Sequence, residues 1–142
     1  MDHVVFVDAK SKELEKILAA SKTTIIRGAA GRKLPHGRVS AGDVLYFIQN
    51  NAEGLIRARA VVSSAFHSEK LTSEESEKLV ADHQATLQLD PAQFKRWAGK
   101  RFLVLVDICQ VEVVSPFMID RSDYGNMDDW LPVENIERIR VQ

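Results

Sequence analysis

The feature that most constrains the fold is a set of short apolar runs that predict strands and do not alternate regularly with helices. The runs Val4–Val7 and Phe102–Ile108 are almost wholly apolar, as in strands buried on both faces. The runs 44–48 and 55–62 flank five residues, Asn50–Gly54, and predict a hairpin. Because βαβ alternation is missing, we expect an α+β protein with a small mixed barrel and helices packed outside, rather than a parallel doubly wound sheet.

The remaining elements are predicted from capping signals and apolar spacing. Ser11 is a candidate N-cap for a first helix. Thr72 and Glu75 form a capping-box pattern, and the dipeptide at 90–91, Asp-Pro, is typical of the start of another helix. We expect Trp130 to pack under the C-terminal tail. The tail's last apolar residues predict an edge strand: Ile136, Ile139 and Val141.

Composition indicates one globular domain of 142 residues, with 45% hydrophobic and 27% charged residues. No apolar run approaches the roughly 20 residues that span a bilayer, and the N-terminus lacks a signal-peptide pattern, so we expect a cytoplasmic protein without a membrane partner. Cys109 is the only cysteine, and the four histidines lack metal-binding spacing. We therefore predict no disulfide, no metal and no cofactor.

Positive charge is concentrated in one stretch of this chain. From Lys16 to Gly42 there are six basic residues and no acidic one, although the whole chain has 19 basic and 20 acidic residues. Such asymmetry is typical of a surface that meets an anionic partner, and nucleic-acid phosphate is the commonest. A solvated basic loop is the alternative. The six cations are Lys16, Lys22, Arg27, Arg32, Lys33 and Arg38.

The long loop from Gly28 to Ala41 lies within this basic stretch, and loops of such length are more often functional than mere connections. Gly28 and Gly31 form neither a P-loop nor a dinucleotide fingerprint, so we interpret them as turn residues. In this loop His36 is a candidate contact for a phosphate or base.

The strand around residues 55–62 extends the predicted binding surface. Arg57 and Arg59 are two residues apart, so their side chains share one face of their strand. We expect that face to be exposed to solvent and positively charged. On the preceding strand Tyr46 is a candidate for stacking on a base, a contact that contributes roughly 1–3 kcal/mol per base.

Three segments together resemble the ASCH domains of the PUA-like superfamily. These are the helix and Lys-Thr turn at 17–27, the Gly-Asp turn and strand at 42–47, and the strand at 56–62. The likeness is clearest from Glu15 to Ser64 and weaker through Ile108, and EVE domains are a second possible family. The resemblance implies a pseudo-barrel with a cleft that faces RNA, DNA or a modified nucleotide, with residues 115–142 as an added segment packed on the domain.

Together the charge pattern and the resemblance predict a binding module, with RNA the favoured partner. The expected nucleic-acid contacts are Lys22, Thr24, Arg27, Arg32, Lys33, His36, Arg38, Tyr46, Arg57 and Arg59.

An alternative is catalytic, since some small ASCH proteins are amidohydrolases that act on acetylated cytidine nucleosides through a Lys-Thr-x-Thr arrangement and a glutamate. Lys22 and Thr23 match that pattern, with Thr24 as the third candidate, but Ile25 occupies the position of the second threonine. The segment expected to hold the glutamate offers only Asp82.

A third hypothesis is a protein-interaction module. Its basic face would meet an acidic partner or the chain's own acidic tail around Asp123, Asp128 and Asp129. If the tail covers the basic residues, both binding hypotheses weaken.

Overall fold

The computed structural model describes residues 1–125 and 128–141. Within these residues, a mixed six-stranded sheet in the order β2-β5-β4-β3-β1-β6 forms the body of the domain, with four helices and a short 3₁₀ helix at Ile136–Arg138. The strands are β1 (Asp2–Val7), β2 (Thr24–Ala29), β3 (Val44–Gln49), β4 (Leu55–His67), β5 (Phe102–Met118) and β6 (Trp130–Glu134). The helices are α1 (Glu13–Leu18), α2 (Ser73–Asp82), α3 (Gln84–Leu87) and α4 (Pro91–Trp97).

The sheet curls into a half-barrel, as the strand pattern predicts. β1 and β3 run parallel, whereas every other neighbouring pair of strands is antiparallel. β2 is one edge of the sheet and β1 is the fifth strand along it, yet Arg27 on β2 donates a hydrogen bond from Nη2 to the Phe6 carbonyl on β1 at 2.6 Å. Register shifts along the long β4–β5 pair supply bends that permit such curvature.

Apolar side chains divide between the inside of the curl and two outer clusters. The inner cluster includes Val5, Ile25 and Phe47, and Leu14 and Ile17 of α1 pack against it. One outer cluster joins Ile26 of β2 and residues of β5 to α2, α3 and α4. The other joins β1, β3, β4 and β6 to the 3₁₀ helix. Alternate residues of β2 therefore face opposite sides, as strand geometry requires.

Two capping predictions are confirmed and one is wrong. Thr72 and Asp90 each form the predicted capping box, at α2 and α4 respectively. Ser11 does not cap α1, whose N-cap residue is Lys12 in a left-handed conformation (φ 54°). The Ser11 hydroxyl instead donates to the carboxylates of Asp8 and Asp90, since those acceptors lie within 2.9 Å.

The predicted terminal edge strand is also wrong. Residues 136–138 form the 3₁₀ helix, and among the described residues of the tail an isolated bridge pairs Arg140 with Ile119. The edge strand at the end opposite to β2 is β6, which begins at Trp130, and this side chain is 1% exposed. Residues 115–118 continue β5, so this part of the C-terminal segment belongs to the sheet. Within the described residues, no helix is both long and apolar enough to cross a membrane.

Candidate functional site

Lys22 lies in the interior of the domain and does not reach the surface. Its side chain is 1% exposed, and Nζ donates to the Leu87 carbonyl at 2.5 Å and lies 3.4 Å from a carboxylate oxygen of Glu13. Burial lowers the pKa of the Lys22 ammonium from its ordinary value, and the Glu13 carboxylate opposes that shift. In this conformation a bound phosphate would not contact Lys22.

Thr24 faces the outside of the curl, opposite to Ile25 in the inner cluster. Its hydroxyl lies 2.7 Å from Asp107 Oδ1 on β5 and 2.9 Å from the Thr86 hydroxyl on α3. Thr23 is half-buried, and its backbone N–H donates to the Thr86 carbonyl at 2.9 Å. The Lys-Thr-Thr segment therefore connects the start of β2 to α3, through Thr86 and Leu87.

Arg27 is the most enclosed cation of the predicted set after Lys22, at 7% exposure. Its Nη1 donates to the carbonyl of Ile26, and its Nη2 bonds β1 as described above. The guanidinium carbon lies 5.7 Å from the ring centroid of Trp97 and 5.6 Å from that of Trp130. Both distances are within cation–π range, so the charge is held between two indole rings.

The basic loop, defined here as residues 30–43, is exposed and carries three of the predicted contacts on its surface. Arg32 is 61% exposed and lies 3.3 Å from the exposed Glu69, a pair of the kind that contributes little to stability. Lys33 and Arg38 are exposed as well. His36 is half-buried, with Nε2 2.8 Å from the Ser68 carbonyl, and so anchors the loop to the end of β4.

The remaining predicted contacts lie on other parts of the sheet. Arg57 forms an ion pair with Glu53, whereas the guanidinium of Arg59 lies 5.8 Å from the Tyr46 ring and 3.1 Å from a Glu112 carboxylate oxygen. Burial raises the pKa of the Tyr46 phenol from its ordinary value. The structure does not bring these three predicted residues to the cavity described next.

A cavity of about 400 Å³ opens beside Arg27, where β1, β2, α4 and the segment before β6 meet. A volume of this order is within the range of small-molecule sites. Of the ten predicted contacts, all of which are described, Arg27 is the one that lines it. The residues on which its chemistry depends are Phe6, Arg27, Arg96, Trp97, Arg121 and Asp129.

Guanidinium groups stacked on aromatic rings form part of the cavity wall. The Arg96 guanidinium carbon lies 4.4 Å from the Trp97 ring centroid, and that of Arg121 lies 4.9 Å from the Phe6 centroid. Arg96 is 61% exposed, and Arg121 donates to the carbonyls of Gly125 and Asp128. Planar guanidinium groups in such positions offer a stacking surface to a base.

Sequence reasoning missed Arg96, Trp97 and Arg121. The first two lie in the last turn of α4, whose start was predicted from the Asp-Pro signal, so their helix was recognised but not its place beside β2. Arg121 carries no local signal, because only the fold brings it over Phe6.

The acidic tail does meet the basic stretch, as the third hypothesis allows. Asp129 Oδ2 lies 3.4 Å from Arg27 Nε and 3.6 Å from Arg96 Nη2. Lys33 and Leu34 of the basic loop border a small cleft with Asp128 and Asp129, so the loop adjoins the cavity on this side. Among the described residues, no group of three His, Cys, Asp or Glu side chains is arranged to hold a metal ion.

Comparison with solved structures supports the family resemblance at the level of the fold. The crystal structure of ASCH from Zymomonas mobilis has a TM-score of 0.69, with 11% identity, covering 93% of this chain and 87% of that chain. The chain has the ASCH-domain fold. Two variants of the Zymomonas mobilis protein have TM-scores of 0.70 and 0.71 at 11% and 10% identity, covering 96% of this chain and 93% and 91% of theirs. No family model and no curated protein matches the sequence.

The fold match covers nearly the whole chain, 96% of it in both variant structures. At identities of 10–11%, the match establishes the ASCH-type half-barrel and leaves the ligand to be argued from this chain's own residues.

Proposed function

We propose that this ASCH-fold protein binds nucleic acid, and RNA in particular, by admitting one nucleotide to the cavity beside Arg27. The observation that carries the proposal is the combination of a 400 Å³ cavity with guanidinium groups stacked on aromatic rings in its wall. Bases stack on guanidinium planes as well as on aromatic rings. The resemblance to ASCH domains supports the choice of nucleic acid.

The basic loop supplies the complementary contact with the backbone of the polymer. Lys33 and Arg38 are exposed, and Arg32, whose guanidinium carbon lies 5.4 Å from the Phe102 ring centroid, forms a surface ion pair with Glu69 that a phosphate can replace. Because Lys33 borders the cleft next to Asp128 and Asp129, a strand whose base enters the cavity passes close to this loop. The buried cations Lys22 and Arg27 take no part in phosphate binding in this proposal.

Fluorescence anisotropy with labelled single-stranded and duplex RNA and DNA, at two salt concentrations, tests the proposal. Arg96→Ala removes one stacking plane and is expected to weaken binding by about tenfold or more, which corresponds to one base contact. Arg138→Ala is the matched control, because Arg138 is 65% exposed, close to the 61% of Arg96, and does not line the cavity. No binding by the wild-type protein at low salt would overturn the proposal.

A second candidate function is hydrolysis of a nucleoside amide, and the Lys22–Glu13 pair favours it. The lowered pKa of Lys22 is the shift expected of a catalytic lysine, and Glu13 lines the cavity and lies 3.4 Å from the ammonium. Asp82, the acid that the sequence offers, instead forms a surface ion pair with Lys78.

Incubation with N4-acetylcytidine followed by chromatography tests this candidate. Wild-type protein should release the acetyl group, whereas Glu13→Gln and Lys22→Ala should not. Because both residues are buried, folding of each variant is checked by its thermal unfolding transition. An equal, background rate in all three proteins would eliminate the hydrolase.

A further inference from the structure

Arg27 is held by the fold so firmly that its position does not depend on a ligand. Two carbonyls accept its Nη1 and Nη2 hydrogens, and two indole rings enclose the guanidinium. Its side chain is 9% exposed and lines the cavity. A cation buried to this degree requires a nearby counter-charge, because the loss of hydration is costly.

Asp129 supplies that counter-charge from a position set by the sheet. Its carbonyl accepts the Phe6 backbone N–H at 3.0 Å, which anchors the segment just before β6 to β1. From there one carboxylate oxygen lies within 3.6 Å of both Arg27 Nε and Arg96 Nη2. The place that a phosphate would take between the two guanidinium groups is therefore occupied by a carboxylate of the chain itself.

The charges of the cavity wall are balanced overall rather than basic. In the part of the chain that the structure describes, three arginines line the cavity with four carboxylates, namely Asp8, Glu13, Asp128 and Asp129. An anion that enters the cavity lies close to these four carboxylates. Like charges repel strongly in a partly dehydrated site, so this repulsion makes anion binding less favourable. A neutral ligand meets no such penalty.

Two arginine donors of the cavity wall, Arg27 Nε and Arg121 Nε, are buried without a hydrogen-bond partner among the described residues, and Arg27 Nε is the one next to Asp129. Although Arg27 Nε lies 3.4 Å from Asp129, it is misaligned and has no hydrogen-bond partner among the described residues, even though the atom is buried. An N–H donor thus lies beside a carboxylate acceptor. Because the Asp129 side chain is 40% exposed whereas Arg27 Nε is buried, a neutral group that presents a donor, such as the amino group of a nucleobase, can bond to the carboxylate without adding charge.

We propose that Asp129 is a specificity-determining residue that makes the cavity select the uncharged base and sugar of a nucleotide and keep its phosphate outside. This inference rests on the proposed function, and it specifies that the base and sugar, and not the phosphate, are the parts of the nucleotide that enter the cavity. It also reverses the expectation that Arg27 binds phosphate.

The test compares the four common nucleosides with their 5′-monophosphates by NMR titration, following the Trp97 indole N–H. Wild-type protein should bind the nucleoside at least as tightly as the monophosphate. Asp129→Asn should shift the ratio of the two affinities toward the monophosphate by about tenfold, because it removes a like charge next to the anion. Asp123→Asn, an exposed acid that does not line the cavity, should change the ratio less than about twofold.

A second measurement uses only the wild-type protein, so that it does not depend on the folding of a variant. Inorganic phosphate should fail to displace a bound nucleoside at constant ionic strength. Displacement by phosphate, a tenfold wild-type preference for the monophosphate, or an unchanged ratio in Asp129→Asn would each overturn the selectivity.

The two proposals fail in distinguishable ways. Oligonucleotide binding without entry of any nucleoside or monophosphate overturns the selectivity and leaves polymer binding intact. No binding of oligonucleotides, nucleosides or monophosphates overturns both.

Discussion

At the scale of single residues, burial separates cations that look alike in the sequence. Arg27 and Arg32 are five positions apart in the same basic stretch, yet Arg27 is enclosed by two tryptophans and Arg32 is 61% exposed. Arg27 therefore contributes to the packing of the domain interior, whereas Arg32 is accessible to a binding partner.

Replacement of these two arginines by alanine should therefore have unequal effects on stability. We expect Arg27→Ala to lower the free energy of unfolding by about 2–4 kcal/mol, because it removes two charge-assisted hydrogen bonds to backbone carbonyls. Arg32→Ala should cost less than about 0.5 kcal/mol, as is typical of an exposed ion pair. Urea unfolding measures both, and equal losses would contradict the assignment of Arg27 to the interior.

The buried histidine His3 predicts a pH dependence of folding stability. His3 is 0% exposed; its Nδ1 accepts the Trp130 indole N–H at 3.0 Å and its Nε2 faces Asp43 at 2.8 Å. Burial lowers the pKa of His3 below its ordinary value of 6.5, despite the opposing effect of Asp43. Because the unfolded chain binds this proton more readily, folding stability should fall as the pH drops below about 6.5.

The measurement is the free energy of unfolding between about pH 7.5 and 5.5, for wild type and for His3→Gln. The part of the fall in unfolding free energy that is due to His3 should be absent in His3→Gln. The other three histidines contribute equally to the pH dependence of both proteins. Parallel pH profiles would show that His3 does not titrate on unfolding.

At the scale of elements, β2 must pack closely against β5 and the turn that precedes it. A Cβ added at Gly28 would lie 2.7 Å from Leu103 Cδ2 and 3.1 Å from Lys100 Cβ, whereas at Gly31 nothing lies within 4 Å. The two glycines of the Gly-x-x-Gly sequence thus have different roles, and close strand packing explains only the first.

Alanine at each glycine gives a matched pair. Gly28→Ala should lower the free energy of unfolding by about 1–3 kcal/mol, since Leu103 is fully buried and has little room to move. Gly31→Ala should change it by less than about 0.5 kcal/mol. Thermal unfolding of the two variants checks the difference, and a larger loss at Gly31 would assign that residue a role that its surroundings do not explain.

At the scale of the whole molecule, the curl of the sheet brings the buried Arg27, two acidic tail residues and two further arginines from distant segments around one cavity. The phosphate-binding cations of the proposed function lie outside it, on the basic loop. Salt dependence distinguishes this arrangement from a basic cleft, because each phosphate contact releases counterions.

The double variant Arg32→Ala/Arg38→Ala should reduce the slope of log affinity against log salt by about two with duplex, or about 1.4 with a single strand. As a control of equal charge, Lys78→Ala/Arg138→Ala removes two exposed cations that do not line the cavity and should leave the slope unchanged. If the slope is unchanged in Arg32→Ala/Arg38→Ala, these two arginines do not contact the phosphates of the nucleic acid.

Local signals in the sequence determined most of the elements of this protein. Apolar runs predicted the strands, and Thr72 and Asp90 predicted the starts of their helices, because capping and side-chain alternation depend on neighbours a few residues away. The α+β half-barrel followed from the order of those elements. Ser11 was misassigned, since its hydroxyl donates to Asp8, which precedes the helix, and to Asp90, which is 79 residues away.

Only the tertiary structure decided which charges reach a partner. The basic stretch predicted six cations without distinguishing the interior Lys22 and Arg27 from the exposed residues of the loop. Nor did any local pattern join Arg27 to Asp129, because that contact spans about a hundred residues and depends on the curl that brings β2 toward β1. Sequence predicts elements because their forces are local, whereas burial and charge pairing across the sheet depend on how those elements pack.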